Sequence, residues 1–154
     1  MLGEFPRPNH PEERSAGVRA DREALARCRL QQAEESLSSA RLLLDHLDCR
    51  AAVNRAYYTM FYGVLALLAA GGRGTSKHSG AIALFDSDFV RKGIFRSDLS
   101  AWLHQTFDLR LQADYGEMFQ VKPKKALTAI ARAEQFLSAV RTELEARFGR
   151  REES

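Results

Sequence analysis

The chain has 154 residues, of which 45% are hydrophobic and 28% charged, as is typical of a single soluble globular domain. Its net charge of +3 permits an anionic partner without requiring one, because a nucleic-acid surface needs clustered cations. The polar N-terminus lacks the apolar core of a signal peptide, and the longest weakly polar stretch, residues 56–70, is shorter than the ~20 residues of a membrane span. We therefore expect no membrane association.

Residues 1–20 lack apolar periodicity, so we predict a flexible N-terminal segment before a helical domain at residues 21–149. The first helix is predicted to begin near Asp21, with apolar residues at intervals of three and four. Cys28 and Cys49 would lie about 30 Å apart on a continuous helix, so we expect two free thiols and a cytoplasmic location.

Asp48 is predicted to cap a second helix that is apolar almost all round and ends at Gly71. Such a helix suits the centre of a bundle or a subunit interface, and we expect a homodimer built largely through it. A glycine-rich loop, residues 71–80, follows, and then a short helix that ends at Gly93.

Ser97 is predicted to cap the fourth helix, which Gly116 ends. Pro123 stands at the start of the fifth helix, and Gly149 is predicted to end it, leaving residues 150–154 as a solvated tail. No segment alternates as a strand does. The sequence therefore predicts an all-α bundle of four to five helices.

Metal and cofactor sites are not expected. No two of the four histidines lie three or four residues apart, and neither cysteine has a CxxC companion. The glycine-rich loop does not have the order of a phosphate-binding Walker motif.

The glycine-rich loop nevertheless carries groups that can bind an anion. Arg73, Lys77, His78 and Ser79 precede a helix whose free N–H groups could hold a phosphate, and we expect the loop to be mobile until ligand binds. The alternative is an ordinary turn with solvated charges.

The second helix carries Asn54, Arg55 and Tyr58 within an apolar sequence, together with Tyr57 and Tyr62. These residues could line a nucleotide cleft in which a tyrosine ring stacks on a base. The alternative is that the rings belong to the core and that Arg55 forms an ion pair with a neighbouring helix.

The end of the fourth helix places Arg110 four residues before Asp114, with Tyr115 next. Arg110 and Asp114 face the same way and can frame a site, or form a plain intrahelical ion pair.

Four segments follow one another along the chain: NRAYYTMFYGVLALL, KHSGAIALF, FVRKGIF and FDLRLQADYG. Together and in this order they resemble the HEPN family, in particular its small single-domain prokaryotic members. The resemblance spans roughly residues 30–144 and implies an up-and-down bundle, a homodimer, and pairing with a minimal nucleotidyltransferase in a toxin–antitoxin system. Many members cut RNA without a metal, using an arginine and, after four to six residues, a histidine. The arginine would hold the phosphate, and the histidine would move protons during attack by the 2′-hydroxyl.

This sequence departs from that motif, because Tyr115 stands five residues after Arg110 where the histidine is expected. Arg41 to His46 and Arg73 to His78 match the spacing formally. They fall in the first helix and the glycine-rich loop, away from the position that the family's motif occupies. We therefore expect binding of phosphate to exceed cleavage of RNA.

The leading hypothesis is a HEPN toxin that acts on RNA, a metal-independent endoribonuclease with an atypical site. One alternative is a non-catalytic subunit that holds a nucleotide or substrate for a nucleotidyltransferase, and another is a structural helical adaptor. Tyr115 would in addition offer that nucleotidyltransferase an exposed hydroxyl to modify. The catalytic residues expected are Arg110, Asp114 and Tyr115, and the nucleotide- or RNA-binding residues are Asn54, Arg55, Tyr58, Lys77 and His78.

Overall fold

The structure is a computed structural model that describes residues 11–75, 77–116 and 118–152, with side chains to residue 149. Within these ranges the chain is an all-α bundle, as predicted, and has no strand. Its helices are α1 (Pro11–Asp45), α2 (Cys49–Ala70), α3 (His78–Phe85), α4 (Ser97–Tyr115) and α5 (Pro123–Glu152). A π-helical segment, Asp86–Val90, continues α3.

Helix α2 lies at the centre and contacts α1, α3, α4 and α5. Its bounds agree with the prediction: an Asp48 carboxylate oxygen accepts from the Ala51 N–H at 3.3 Å, and Gly71 follows the last turn. Fifteen of its 22 residues are buried within this one chain. Of the two places expected for such a helix, the centre of a bundle and a subunit interface, α2 occupies the first, and the homodimer stays a prediction.

Helix α1 begins ten residues earlier than predicted, at Pro11 instead of Asp21. Proline suits the first helical position, and Glu12 and Glu13 favourably face the positive end of the helix dipole. Residues 11–20 are exposed and helical, so α1 begins inside the N-terminal segment, whose predicted flexibility stays a prediction. The first ten residues lie outside the described part of the chain.

Two other predicted ends were wrong. Arg96 occupies the N-cap position of α4 without a side-chain cap, and Ser97 is its first helical residue. Helix α5 does begin at Pro123 but continues past Gly149 to Glu152.

Cys28 and Cys49 are both free and lie on different helices, not on one continuous helix as assumed.

The π-helical segment fixes α3 against α4. The Asp86 carboxylate accepts from the Ser100 hydroxyl at 2.6 Å and lies 2.7 Å from Nε2 of His104. Phe85 and Phe89 are buried, with ring centroids 6.0 Å apart. The start of α3 lies against α2 through His78, which contacts Tyr57 and Phe61.

Candidate functional site

Arg110 lies on the buried face of α4, with 9% of its surface exposed. Its guanidinium carbon is 4.9 Å from the Tyr57 ring centroid, 5.6 Å from that of Tyr58 and 5.5 Å from that of Phe107. Aromatic faces attract a cation electrostatically, and this attraction strengthens when water is excluded. Three rings therefore hold the Arg110 charge at the edge of the core.

A polar network connects Arg110 to a second arginine. An Arg110 NH1 group donates to Oδ2 of Asp114 at 3.4 Å, and Asn54 Nδ2 donates to the same oxygen at 3.1 Å. Oδ1 of Asn54 accepts from Nε and NH2 of Arg55 at 3.1 and 2.8 Å. The Arg55 guanidinium also lies 4.7 Å from the Tyr58 ring centroid. Arg55 thus bonds to Asn54 and not to the carboxylate of a neighbouring helix that the structural interpretation expected.

The charge of this network is incompletely balanced. It contains the guanidiniums of Arg55 and Arg110 and one carboxylate, that of Asp114. The bond from Arg110 to Asp114 is at the long limit for a hydrogen bond, and Nε of Arg110 is buried with no partner among the described residues. A buried donor without a partner costs about 1–3 kcal/mol. An anion that reached these arginines would supply the missing charge.

His78, the first residue of α3, joins the same group of side chains. Its Nδ1 lies 2.8 Å from the Tyr57 hydroxyl, and its ring stacks on Phe61 with centroids 4.1 Å apart and planes 3° apart. Burial, and then the charge of Arg110, lowers the pKa of His78. Burial raises the pKa of Tyr57 above its usual range, outweighing the opposite effect of Arg110. At neutral pH, therefore, a neutral imidazole meets a protonated phenol.

Six of the eight predicted site residues come together. We call them, with Tyr57, the Arg110 site: Asn54, Arg55, Tyr57, Tyr58, His78, Arg110 and Asp114. The sequence analysis placed His78 in the glycine-rich loop, whereas the structure makes it the first residue of α3, in contact with the ring that also contacts Arg110.

The other two predicted residues lie apart from this group. Lys77 is exposed at the N-cap position of α3. Its backbone N–H donates to the Thr75 hydroxyl at 3.2 Å, and its backbone oxygen accepts from the Ala81 N–H at 3.0 Å. Tyr115 is 77% exposed, and its side chain makes no hydrogen bond or ring contact within the described part of the chain. The structure thus does not bring Tyr115 to the residues with which it was grouped.

Arg50 was missed by the sequence analysis and positions the end of α4. Its guanidinium donates to the backbone oxygens of Ala113 and Gly116, each at 2.8 Å, and to that of Phe119. A Cβ on Gly116 would lie 2.6 Å from the Gln112 oxygen, so the tight exit from α4 requires glycine. The signal was available, because Arg50 stands four residues before Asn54 and so on the same face of α2.

Tyr57 was interpreted as a core residue, and it is fully buried. Its hydroxyl nevertheless lies within hydrogen-bond distance of His78. The spacing of residues along α2 could not show that Tyr57 both packs in the core and contacts a site residue.

No group of three His, Cys, Asp or Glu among the described residues is placed to hold a metal ion. None of the described helices combines the length and apolar character needed to cross a membrane.

The amino-acid sequence is similar to those of known proteins. Residues 26–143 match the HEPN domain. A UPF0332 protein of Thermotoga maritima is 40% identical over 110 residues, which cover 71% of this chain and 83% of that protein. Two proteins of Methanocaldococcus jannaschii, named "Putative toxin MJ0605" and "Putative toxin MJ0142", are 32% and 29% identical. The matches cover 75% and 71% of this chain, and 85% and 74% of those proteins.

Proposed function

The chain belongs to the HEPN family, and from this premise we propose that it is a HEPN toxin that cleaves RNA without a metal at the Arg110 site. The names of the two Methanocaldococcus jannaschii relatives support the toxin role. The resemblance supports RNA as the target and a minimal nucleotidyltransferase as the protein that counteracts the toxin.

The observation that carries the proposal is the incompletely balanced charge of Arg110. A buried cation with an unpartnered Nε is costly, and a hydrophobic residue of similar size would fit the three rings without that cost. Charged groups retained at a cost to stability are common in functional sites. The Arg110 site, with two guanidiniums and one carboxylate, has the charge to accept one phosphodiester.

His78 supplies the proton transfer that Tyr115 was not suited to provide. Neutral imidazole accepts the proton of the RNA 2′-hydroxyl as that oxygen forms a bond to phosphorus. The bond from phosphorus to the 5′-oxygen breaks, and this oxygen takes a proton from water or from the imidazolium. The products are a 2′,3′-cyclic phosphate and a 5′-hydroxyl. Arg110 and Arg55 stabilise the charge that develops on the phosphate oxygens.

A second candidate is a non-catalytic subunit that holds a nucleotide for a nucleotidyltransferase. It is favoured by Tyr58 and Tyr62, partly exposed rings with centroids 5.9 Å apart, the first of them in contact with Arg55. A base can stack on such rings and place its phosphate at the arginines. In that case His78 would be dispensable and binding would persist without cleavage.

Cleavage of a labelled RNA in EDTA tests the proposal. We expect wild type to produce 2′,3′-cyclic ends, and a 2′-deoxy nucleotide at the cleaved position to block the reaction. His78→Gln should abolish cleavage and retain binding, whereas His46→Gln, at an exposed histidine, should cleave as wild type does. Equal cleavage by His78→Gln would refute the assigned role. Binding without cleavage by wild type would establish the second candidate.

A further inference from the structure

A groove on the opposite side of α4 from the Arg110 site has no assigned role. It lies between α4 and α5 and has a volume of about 630 Å³. Leu109 and Gln112 of α4 line it, whereas Arg110 and Asp114 of the same helix face the site at α2. The groove and the Arg110 site are therefore separate surfaces.

The base of the groove is apolar. Thr106 and Ala129 are buried, and Leu109 is half-buried between them. No aromatic ring is among the lining residues. Apolar surface of this kind, enclosed by two helices, fits the aliphatic side chains of a third helix.

The walls of the groove carry an excess of positive charge. Among the residues that the structure describes, four cationic ones line it, against one carboxylate, that of Asp108: Lys122, Lys124, Lys125 and Arg132. Arg132 is held in place by donation to the Gln105 side-chain oxygen at 2.9 Å. Among the described residues, no carboxylate forms an ion pair with any of the three lysines.

The lysines also stand at the unfavourable end of a helix. Lys122 precedes α5, and Lys124 and Lys125 lie in its first turn, which contains no acidic residue, although carboxylates stabilise that end and cations destabilise it. This local cost, together with the apolar base, indicates a surface that an acidic partner covers. Single-stranded RNA fits less well, because its recognition depends on aromatic rings on which bases stack.

We propose that the α4–α5 groove is the docking site for an acidic amphipathic helix of a partner protein. Apolar residues spaced by three and four along that helix contact Leu109 and Ala129. Its carboxylates pair with Lys122, Lys125 and Arg132, bringing opposite charge to a surface that the chain leaves unbalanced. This proposal is independent of what occurs at the Arg110 site.

The test uses fluorescence anisotropy with a designed helical peptide of about 20 residues, long enough to form a helix, with leucines on one face and glutamates on the others. The same peptide with lysines in place of the glutamates and an oligouridylate RNA are the comparison probes. We expect the acidic peptide to bind and the basic peptide not to bind. The triple variant Lys122→Glu, Lys125→Glu, Arg132→Glu should weaken binding of the acidic peptide at least about tenfold.

A matched triple variant controls for net charge: Arg91→Glu, Lys92→Glu, Arg96→Glu, all at exposed positions between α3 and α4. It should bind the acidic peptide with an affinity close to that of wild type. Leu109→Asp tests the apolar base and should also lose binding, with circular dichroism to establish that the variant folds. Arg110→Met should bind the peptide as wild type does, which separates this proposal from the RNA function.

Three results would overturn the proposal. The basic peptide binds as well as the acidic one, or the two triple variants weaken binding equally, or oligouridylate alone binds and loses affinity in the groove variant. In the last case the groove is an RNA surface. Amide chemical shifts of Thr128 and Ala129 on titration with peptide give a second measurement, since these residues must respond if the peptide occupies the groove.

Discussion

Replacing Arg110 by methionine should separate stability from function. Methionine retains an unbranched side chain of similar reach and removes only the guanidinium. The loss of contact with three rings, at 4.9 to 5.6 Å, costs about 0.5–2 kcal/mol per strong cation–π pair. Removal of the buried, unpartnered Nε of Arg110 should stabilise the fold by about 1–3 kcal/mol.

These opposing contributions overlap in size. We expect the free energy of unfolding to change by less than about 3 kcal/mol. RNA affinity should fall on the order of 10- to 100-fold, because a charge-assisted hydrogen bond to phosphate contributes about 1.5–3 kcal/mol. Arg110→Lys keeps the charge but loses the planar donor pair. Its RNA affinity should lie between that of wild type and that of Arg110→Met.

Urea denaturation and anisotropy with labelled RNA measure both quantities on the same protein. Arg91→Met, at an exposed arginine, is the matched control and should change neither. A loss of more than about 3 kcal/mol of stability, with unchanged RNA affinity in the folded fraction, would show that Arg110 is purely structural. The functional assignment of the Arg110 site would then be refuted.

Further predictions concern His78, Tyr115, Leu47 and the oligomeric state. The pKa of folded His78 lies below the unfolded value of about 6.5, so acidification adds protons to the unfolded state first; stability should hold above that pH and fall as pH drops through it. His78→Gln should remove this part of the fall in urea denaturation between about pH 8 and about pH 5, and an unchanged profile would contradict it. Tyr115→Phe should leave RNA affinity intact and block any transfer of a nucleotide to the protein, as mass spectrometry after incubation with the nucleotidyltransferase would show. Leu47, exposed and at φ 61°, closes the end of α1, and Leu47→Gly should raise stability by up to about 1 kcal/mol in thermal unfolding; a loss of stability would contradict this. Light scattering should give a homodimer at micromolar concentration, contacting through the partly exposed stripe of α2 that includes Tyr58 and Tyr62, and a monomer would remove that model.

Helix boundaries could be predicted from the sequence where a single residue determines where the helix begins. Asp48 caps α2 and Pro123 opens α5, because each offers a local interaction that does not depend on the rest of the fold. The failures lie at exposed ends. Residues 11–20 bury nothing, so the apolar pattern gives no signal there, yet α1 continues through them. Gly149 was predicted to stop α5, but a glycine in a helix costs only about 1 kcal/mol and the helix passes it.

The site was predictable within each helix and not between helices. The spacing of Arg110 and Asp114 predicted their ion pair, and the polar positions Asn54 and Arg55 in an apolar helix predicted that they need partners. Which partners they find depends on how α2 and α4 pack. The bond from Asn54 to Asp114 joins residues sixty positions apart, and no local pattern specifies it.

Under the proposed function, the histidine that acts is His78, which the spacing of the motif along the chain does not identify. The motif locates its histidine by counting residues along the chain from the arginine, but proton transfer requires only that the two side chains lie close in space. Here α2 provides that proximity: Phe61 stacks on the imidazole, and the hydroxyl of Tyr57 bonds to it while its ring contacts Arg110. The residues that place the histidine are therefore apolar and aromatic ones that composition assigns to the core. If Tyr57→Phe retains the fold but loses cleavage as His78→Gln does, then Tyr57 positions the imidazole through its hydroxyl; if cleavage persists, stacking on Phe61 alone suffices.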